Sequence, residues 1–420
     1  MREREGGYGD VAGQLDEAAV RAVVAEHAAS LDLGGRRLLV LIPDGTRSAP
    51  IPLLVSALRD AFADAAQLDL LVALGTHPPM AEPALERLVG LPRTRWGAMR
   101  VLNHEWSRPD TFAHLGTVTA DEVAAISGGL LRQAVDVRVN RAVLEHDHVL
   151  VCGPVFPHEV VGFSGGNKYF FPGVSGPEVI DVSHWLGALL TSYDIIGTLG
   201  TTPVRALIDA AAALVPTPRS ALSFVVAAGS DALHALYAGP VEASWAAAAE
   251  VSARVHVRYV DAPFHTVLSV VPPMYDELWV AAKAMYKVEP VVTDGGEVIV
   301  YAPHLTELSV AHGDHLRRVG YRTRDYFLAQ WDRFRDVPWG VLAHSTHLRG
   351  AGSYDAAAGQ DRPRIRVSLA SGLSRQECEA VGLGYRDPAS IDVAGFAGRE
   401  HEGVLLVGRA GEQLYRLRRP

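Results

Sequence analysis

Short apolar runs recur along the first 155 residues, and each stops in a cluster of glycine and polar side chains. Leu38–Ile42 runs into Pro43-Asp44-Gly45-Thr46-Arg47, and Leu68–Leu74 into Gly75-Thr76-His77. Met99–Leu102 runs into Asn103-His104-Glu105, and His148–Cys152 into Gly153-Pro154. Amphipathic helical patterns follow the first two, at Pro52–Ala63 and near Ala81–Val89. This alternation is the rhythm of a βαβ sheet whose parallel strands are buried on both faces. In such sheets ligands lie at the carboxyl ends of the strands, so the polar clusters should converge on one edge.

At 420 residues the chain exceeds most single cores, and two domains are expected. Further strands are expected at Leu222–Ala227 and Thr266–Val271, then a helix over Tyr275–Tyr286, a turn at Asp294-Gly295-Gly296 and a strand at Glu297–Tyr301. A helix near Arg324–Phe334 and strands at Gly340–Ala343, Ile365–Leu369 and Val404–Val407 complete the alternation. The fold class is therefore α/β. A larger N-terminal βαβ domain over 1–273 is expected to lead through a connecting helix over 274–290 into a smaller α/β domain over 291–420, whose last residues pack back on the first domain. The cleft between the domains is the expected ligand site.

Composition removes several function classes. Lys and Arg total 39 against 48 Asp and Glu, a formal charge of −9 that argues against a general nucleic-acid binder. Cys152 and Cys378 are too few for a disulfide framework or a cysteine-based metal site, and they fit a reducing compartment. No apolar run reaches the roughly 18 residues of a membrane span, and the charged N-terminus lacks a signal-peptide core. A cytoplasmic protein with no membrane partner is expected.

The stretch with most chemistry is His158-Glu159-Val160-Val161-Gly162-Phe163-Ser164-Gly165-Gly166-Asn167-Lys168, followed by Gly173 and His184. A glycine-rich bend lets a ligand approach the backbone, a lysine offers a cation or nucleophile, and imidazoles offer a proton acceptor or metal ligand. The bend is no phosphate-binding P-loop, since, counting from Gly162, Asn167 stands at the second glycine and Tyr169 replaces the hydroxyl residue. It is no metalloprotease helix either, because Gly162 stands where the second histidine belongs. No G-x-G-x-x-G opens a strand-turn-helix unit. Taken singly, Asp44 reads as a helix cap, Lys168 as a surface lysine, His104 as a turn residue and His184 as a core histidine beside Trp185. Their joint placement at strand ends favours a site.

These residues resemble the nickel-dependent lactate racemase family and its 2-hydroxyacid racemase and epimerase relatives. The likeness lies in Asp44-x-Thr46-Arg47, Gly75-Thr76-His77, His158 through Lys168 to Gly173, and His184. Asn103-His104-Glu105, Pro203-Val204-Arg205 and the helix with Lys283 add to it. The resemblance implies a nickel-pincer nucleotide joined covalently to Lys168, with His184 completing the nickel coordination. Asp44, Thr46 and the Gly165 and Gly166 amides would hold the nucleotide. It implies that His77 and His158 act as the two bases, one for each enantiomer, while hydride leaves and returns at C2 through a 2-keto intermediate. Arg47 would clamp the substrate carboxylate, a planar anion suited to guanidinium. Enzymes that make the nucleotide would be needed for maturation.

One departure bears on the substrate. Where the lactate enzymes carry a Tyr-Gln pair ahead of the lysine, this chain has Trp279 and Val280 before Lys283. Trp279 and Lys283 are therefore expected to line the substrate, and a 2-hydroxy acid larger than lactate is expected. His344 and His347 could read a polyhydroxy tail, or lie in a solvated turn at a strand end. Two other functions stay open at this point: a non-catalytic carrier of the nucleotide, and an NAD(P)-dependent 2-hydroxyacid dehydrogenase.

Overall fold

A computed structural model describes residues 2–4, 7–9 and 13–418. The chain forms two compact units. The first takes the chain up to Phe156, then 163–180 and 199–255; the second takes 157–162, 181–198 and 256 onward.

The first unit is built on an eight-stranded sheet in the order Arg2–Arg4, Gly7–Gly9, Leu233–Gly239, Arg219–Val226, His148–Pro154, Arg37–Ile42, Gln67–Val72, Val101–Asn103. The strands from Arg219–Val226 to Val101–Asn103 are all parallel to their neighbours. The near-continuous apolar runs follow from this placement, because both faces of these strands are covered. One face buries Leu38, Val40, Ile42, Leu70, Leu150 and Phe224 under helices that include Glu17–Leu31 and Ile51–Ala61. On the opposite face Val155, Phe163, Val225 and Tyr237 pack with Trp245 and Ala248 of the helix Val241–His256.

Strand order sets the position of the site. From Arg37–Ile42 the chain moves outward through Gln67–Val72 to Val101–Asn103, then returns to place His148–Pro154 on the other side of Arg37–Ile42. The loops leaving these two central strands diverge, and such a switch point opens a crevice at the carboxyl edge. Those loops carry Asp44–Arg47 and the residues leading to Lys168.

The second unit has a five-stranded parallel sheet in the order Gly384–Tyr385, Arg366–Ser371, Val292–Ala302, Phe264–Val270, Val404–Val407. Here the structure departs from the sequence-based expectations in several places. The strand expected at Thr266–Val271 pairs with Val292–Ala302 and Val404–Val407, so it belongs to this sheet, and the unit's longest segment begins at 256 rather than 291. The helix over Tyr275–Tyr286 is two single turns, Leu278–Ala281 and Lys283–Tyr286. Asp294-Gly295-Gly296 lies inside the long strand Val292–Ala302, where the register shifts and Gly295 takes a φ of +75°.

The expected strand at Gly340–Ala343 is part of a helix, Trp339–Arg349. Residues 340–348 are all buried, so no amphipathic stripe marks the helix, and a four-residue apolar run fits either structure. The helix starts after Pro338 and stops at Gly350, whose φ is +84°. Leu414–Leu417 pairs in parallel with Val257–Val260, both in the second unit. Among the described residues no helix is long and apolar enough to cross a membrane.

Candidate active site

The first unit gathers one group of the expected residues at the end of Arg37–Ile42. Asp44 is buried, and both its carboxylate oxygens are used. Oδ1 accepts from the Thr46 amide (3.0 Å) and from the Thr46 hydroxyl (2.6 Å), while Oδ2 lies 2.5 Å from His77 Nδ1. Arg47 Nη1 donates in turn to the Thr46 hydroxyl (2.7 Å) and the Thr46 carbonyl (3.0 Å). Burial pushes the Asp44 carboxyl up, but His77, Arg47 and the Thr46 hydroxyl outweigh it and hold the carboxyl well below the usual carboxylate range. Asp44 is thus a standing anion that orients an imidazole, a use the sequence motif alone did not suggest.

His77 is set by its surroundings as much as by Asp44. Gly75 takes a φ of +58° and donates its amide to the Gly173 carbonyl (2.9 Å), tying the His77 loop to the lysine loop. Asn103 clamps Met80 from both sides, accepting from its amide (3.0 Å) and donating to its carbonyl (2.9 Å). Trp106 Nε1 donates to the His77 carbonyl (2.9 Å). The expected turn residue His104 is instead fully buried, its Nε2 3.1 Å from the Ser175 carbonyl and its Nδ1 3.2 Å from Asn140 Nδ2. Burial lowers it to about 4, so it is a neutral structural brace.

The lysine loop is held from behind. Gly165 has φ +86° and ψ −175°, and a Cβ there would fall 2.8 Å from Val155 Cγ2. Gly166, at φ +61°, lies against Trp245. Arg205, also buried, donates to the carbonyls of Gly165 (2.9 Å) and Phe163 (2.5 Å), with its guanidinium 4.1 Å from the Trp245 ring centroid. Asn167 Nδ2 donates to Asp209 (3.0 Å) and Glu242 (2.7 Å). Half-buried Lys168 follows in the single turn Gly166–Tyr169. The buried Tyr169 feels the charges of Arg47 and Asp44, and its ring fills the space beside Gly153, where a Cβ would lie 1.8 Å from the hydroxyl. Gly45 and Gly75 face open space: a Cβ would meet only Met80 Cε at 3.9 Å in one case and nothing within 4 Å in the other.

The second unit holds the remaining residues. His158 is buried, and its Nδ1 accepts from the Val160 amide (3.1 Å) and lies 3.3 Å from Glu159 Oε2. A neutral ring satisfies the first contact and a protonated ring the second. His184 is half-buried on the helix Pro177–Leu190, beside Trp185, which stacks on Trp331 at 5.2 Å. Lys283 Nζ sits 4.7 Å from the Tyr275 ring centroid. Trp279 lies flat against His344, with centroids 4.0 Å apart and planes at 8°. His344 and His347 are buried on a helix, which corrects the solvated-turn reading. Among the described residues no three His, Cys, Asp or Glu side chains cluster as a metal site.

Residues 9–193 match the family described as the lactate racemase N-terminal domain. The chain is 25% identical over 294 residues to the lactate racemase of Thermoanaerobacterium thermosaccharolyticum, covering 67% of this chain and 62% of that protein. It is 29% identical over 155 residues to the lactate racemase of Lactiplantibacillus plantarum, covering 36% of this chain and 33% of that protein. It therefore spans less than two thirds of either relative's length. The crystal structure of a Thermotoga maritima protein superposes with a TM-score of 0.91 at 30% identity, covering 98% of this chain and 100% of that one. The lactate racemase apoprotein of T. thermosaccharolyticum shares the fold, with a TM-score of 0.70 at 17% identity over 96% of this chain and 93% of that one. The family match falls on the segment that carries Asp44, Arg47, His77, His158, Lys168 and His184, so residues 9–193 are similar to the lactate racemase N-terminal domain.

Proposed function

We propose that this protein is an isomerase that inverts C2 of a 2-hydroxy acid, using a nickel-pincer nucleotide tethered to Lys168. The observation that carries the reading is the turn Asp44–Arg47, which sets an ionised carboxylate on His77 and presents a guanidinium two bonds further along the same network. A base and an anion clamp tied together by one turn are what a 2-hydroxy carboxylate requires. The residues also fit the nucleotide. Lys168 lies half-buried in a glycine turn, and Gly45 and Gly75 leave open space at the same sheet edge. A nickel ion bringing its own sulfur donors asks the protein for little more than the His184 imidazole. When bound, the nucleotide supplies a reversible hydride acceptor.

The protein's own groups handle binding and protons. Arg47 binds the substrate carboxylate, with Lys283 and Trp279 as further substrate contacts. Asp44 keeps a proton on His77 Nδ1, which leaves Nε2 as the lone pair that takes the C2 hydroxyl proton as the carbonyl forms. Protonated His158, with its Nδ1–H turned to Glu159, gives its Nε2 proton to the carbonyl oxygen of the 2-keto acid and is left as a neutral ring. The two histidines exchange roles when the opposite enantiomer enters.

The test uses protein produced with the enzymes that make the nucleotide, given enantiopure 2-hydroxy acids deuterated at C2 in ordinary water. Chiral chromatography with mass detection is expected to show inverted product that keeps its deuterium, and no inversion by His77→Ala or His158→Ala. Loaded protein that inverts no acid sinks the activity, and loss of the label to solvent sinks the hydride route.

A further inference from the structure

The helix Trp339–Arg349 carries polar groups that neither the fold nor the proposed chemistry uses. His344 Nε2 donates to the Trp279 carbonyl (3.0 Å), and the ring is stacked on the Trp279 indole, so its orientation is fixed from two sides. That bond places the proton on Nε2 and leaves Nδ1 as a bare acceptor. Among the described residues His344 Nδ1 has no hydrogen-bond partner although it is buried, and the same is true of His347 Nε2 on the next turn of the helix. Burial lowers His344 to about 3 and His347 to about 4, so both rings are neutral near pH 7. A buried polar atom left unpaired loses its hydration without compensation, and folded proteins rarely keep one without a use.

The surroundings narrow the use. The charge of Glu159 reaches both rings, and Glu159 also lies 3.3 Å from the proposed base His158. His344 stacks on Trp279, one of the proposed substrate contacts, so its unpaired nitrogen lies beside that contact within the second unit. A second carboxylate on the substrate would meet Glu159 as a like charge and would bring no proton for His344 Nδ1. An alkyl or aromatic tail would bury both nitrogens unpaired. A hydroxyl group donates to His344 Nδ1 and can donate to or accept from His347 Nε2, whichever tautomer that ring holds.

We propose that His344 and His347 are specificity-determining residues that hydrogen-bond the hydroxyl tail of a polyhydroxylated 2-hydroxy acid, making an aldonic acid the preferred substrate class. This rests on the reading of the protein as a C2 racemase or epimerase. Trp279 supplies the platform that holds His344 in place.

The test compares D-gluconate, D-threonate, lactate, malate, 3-phenyllactate and 4-amino-2-hydroxybutyrate on cofactor-loaded protein, following inversion at C2 by chromatography. Gluconate or threonate is expected to exceed lactate in kcat/KM by about tenfold or more, the worth of roughly one buried hydrogen bond. His344→Phe, which keeps a flat ring on Trp279, and His347→Phe are each expected to lower the aldonate-to-lactate ratio about tenfold. As a readout apart from turnover, an aldonate should raise the protein's Tm more than lactate does, and His344→Phe should remove the difference. Inversion of lactate, malate, phenyllactate or the amino acid analogue in preference to both aldonates overturns the inference while leaving the isomerase reading intact. An unchanged ratio in both variants does the same. Inversion of no acid by loaded protein removes the isomerase reading and this inference with it.

Discussion

Asp44 joins the turn, the guanidinium and the imidazole of the site through one carboxylate. It orders the Thr46 turn, and through Thr46 it steadies Arg47 while facing His77 directly. Its motif was legible in the sequence as a ligand-binding turn, but the partner 33 positions away was not, because that pairing is made by strand order. Asp44→Asn keeps the shape and removes the charge, and the ring of His77 loses its preference for a proton on Nδ1. Turnover by loaded protein is expected to fall by on the order of 10²-fold or more, chiefly in kcat, with folding retained. A kcat within threefold of wild type would show that Asp44 does not set the base. His104 shows the opposite lesson: its sequence neighbourhood resembled a turn, yet it ends buried against Ser175 and Asn140, contacts supplied from far along the chain.

At the scale of elements, the first unit was readable because its strands are unbroken apolar runs that end in turn residues. In the second unit the same reasoning failed where burial is complete. Residues 340–348 offer no polar face to betray a helix, and Thr266 was assigned to the wrong sheet because periodicity says nothing about which strand a strand will join. The lysine loop was legible as a glycine bend, whereas its support by Arg205, Asn167 and Trp245 comes from elements that carry no motif. That support makes a prediction. Gly165 occupies a backbone region open almost only to glycine, which costs another residue about 1–3 kcal/mol, and a Cβ would also press on Val155. Gly165→Ala is expected to lower Tm by several degrees and to abolish attachment of the nucleotide. Gly359→Ala, at φ +65° with open space around it, should leave attachment intact. Normal attachment in Gly165→Ala would mean that the loop geometry is not what presents Lys168.

For the whole molecule, the buried imidazoles tie stability to pH. Burial holds His104, His148 and His347 at about 4 and His344 at about 3, all below the ordinary 6.5. Between those values the unfolded chain binds more protons than the folded one, so stability is complete above about 6.5 and falls as pH drops toward 4. The loss is on the order of 1 kcal/mol or more per fully buried imidazole. Urea midpoints measured from pH 7.5 to pH 4.5 should fall steadily, and a flat profile would contradict these neutral assignments. The central claim concerns what the folded protein carries, and the intact mass of the protein made with the nucleotide-producing enzymes tests it most directly. A wild-type mass raised by the nickel-pincer nucleotide and an unmodified mass for Lys168→Ala are expected; an unmodified wild type, or an adduct that survives in Lys168→Ala, would contradict the tether.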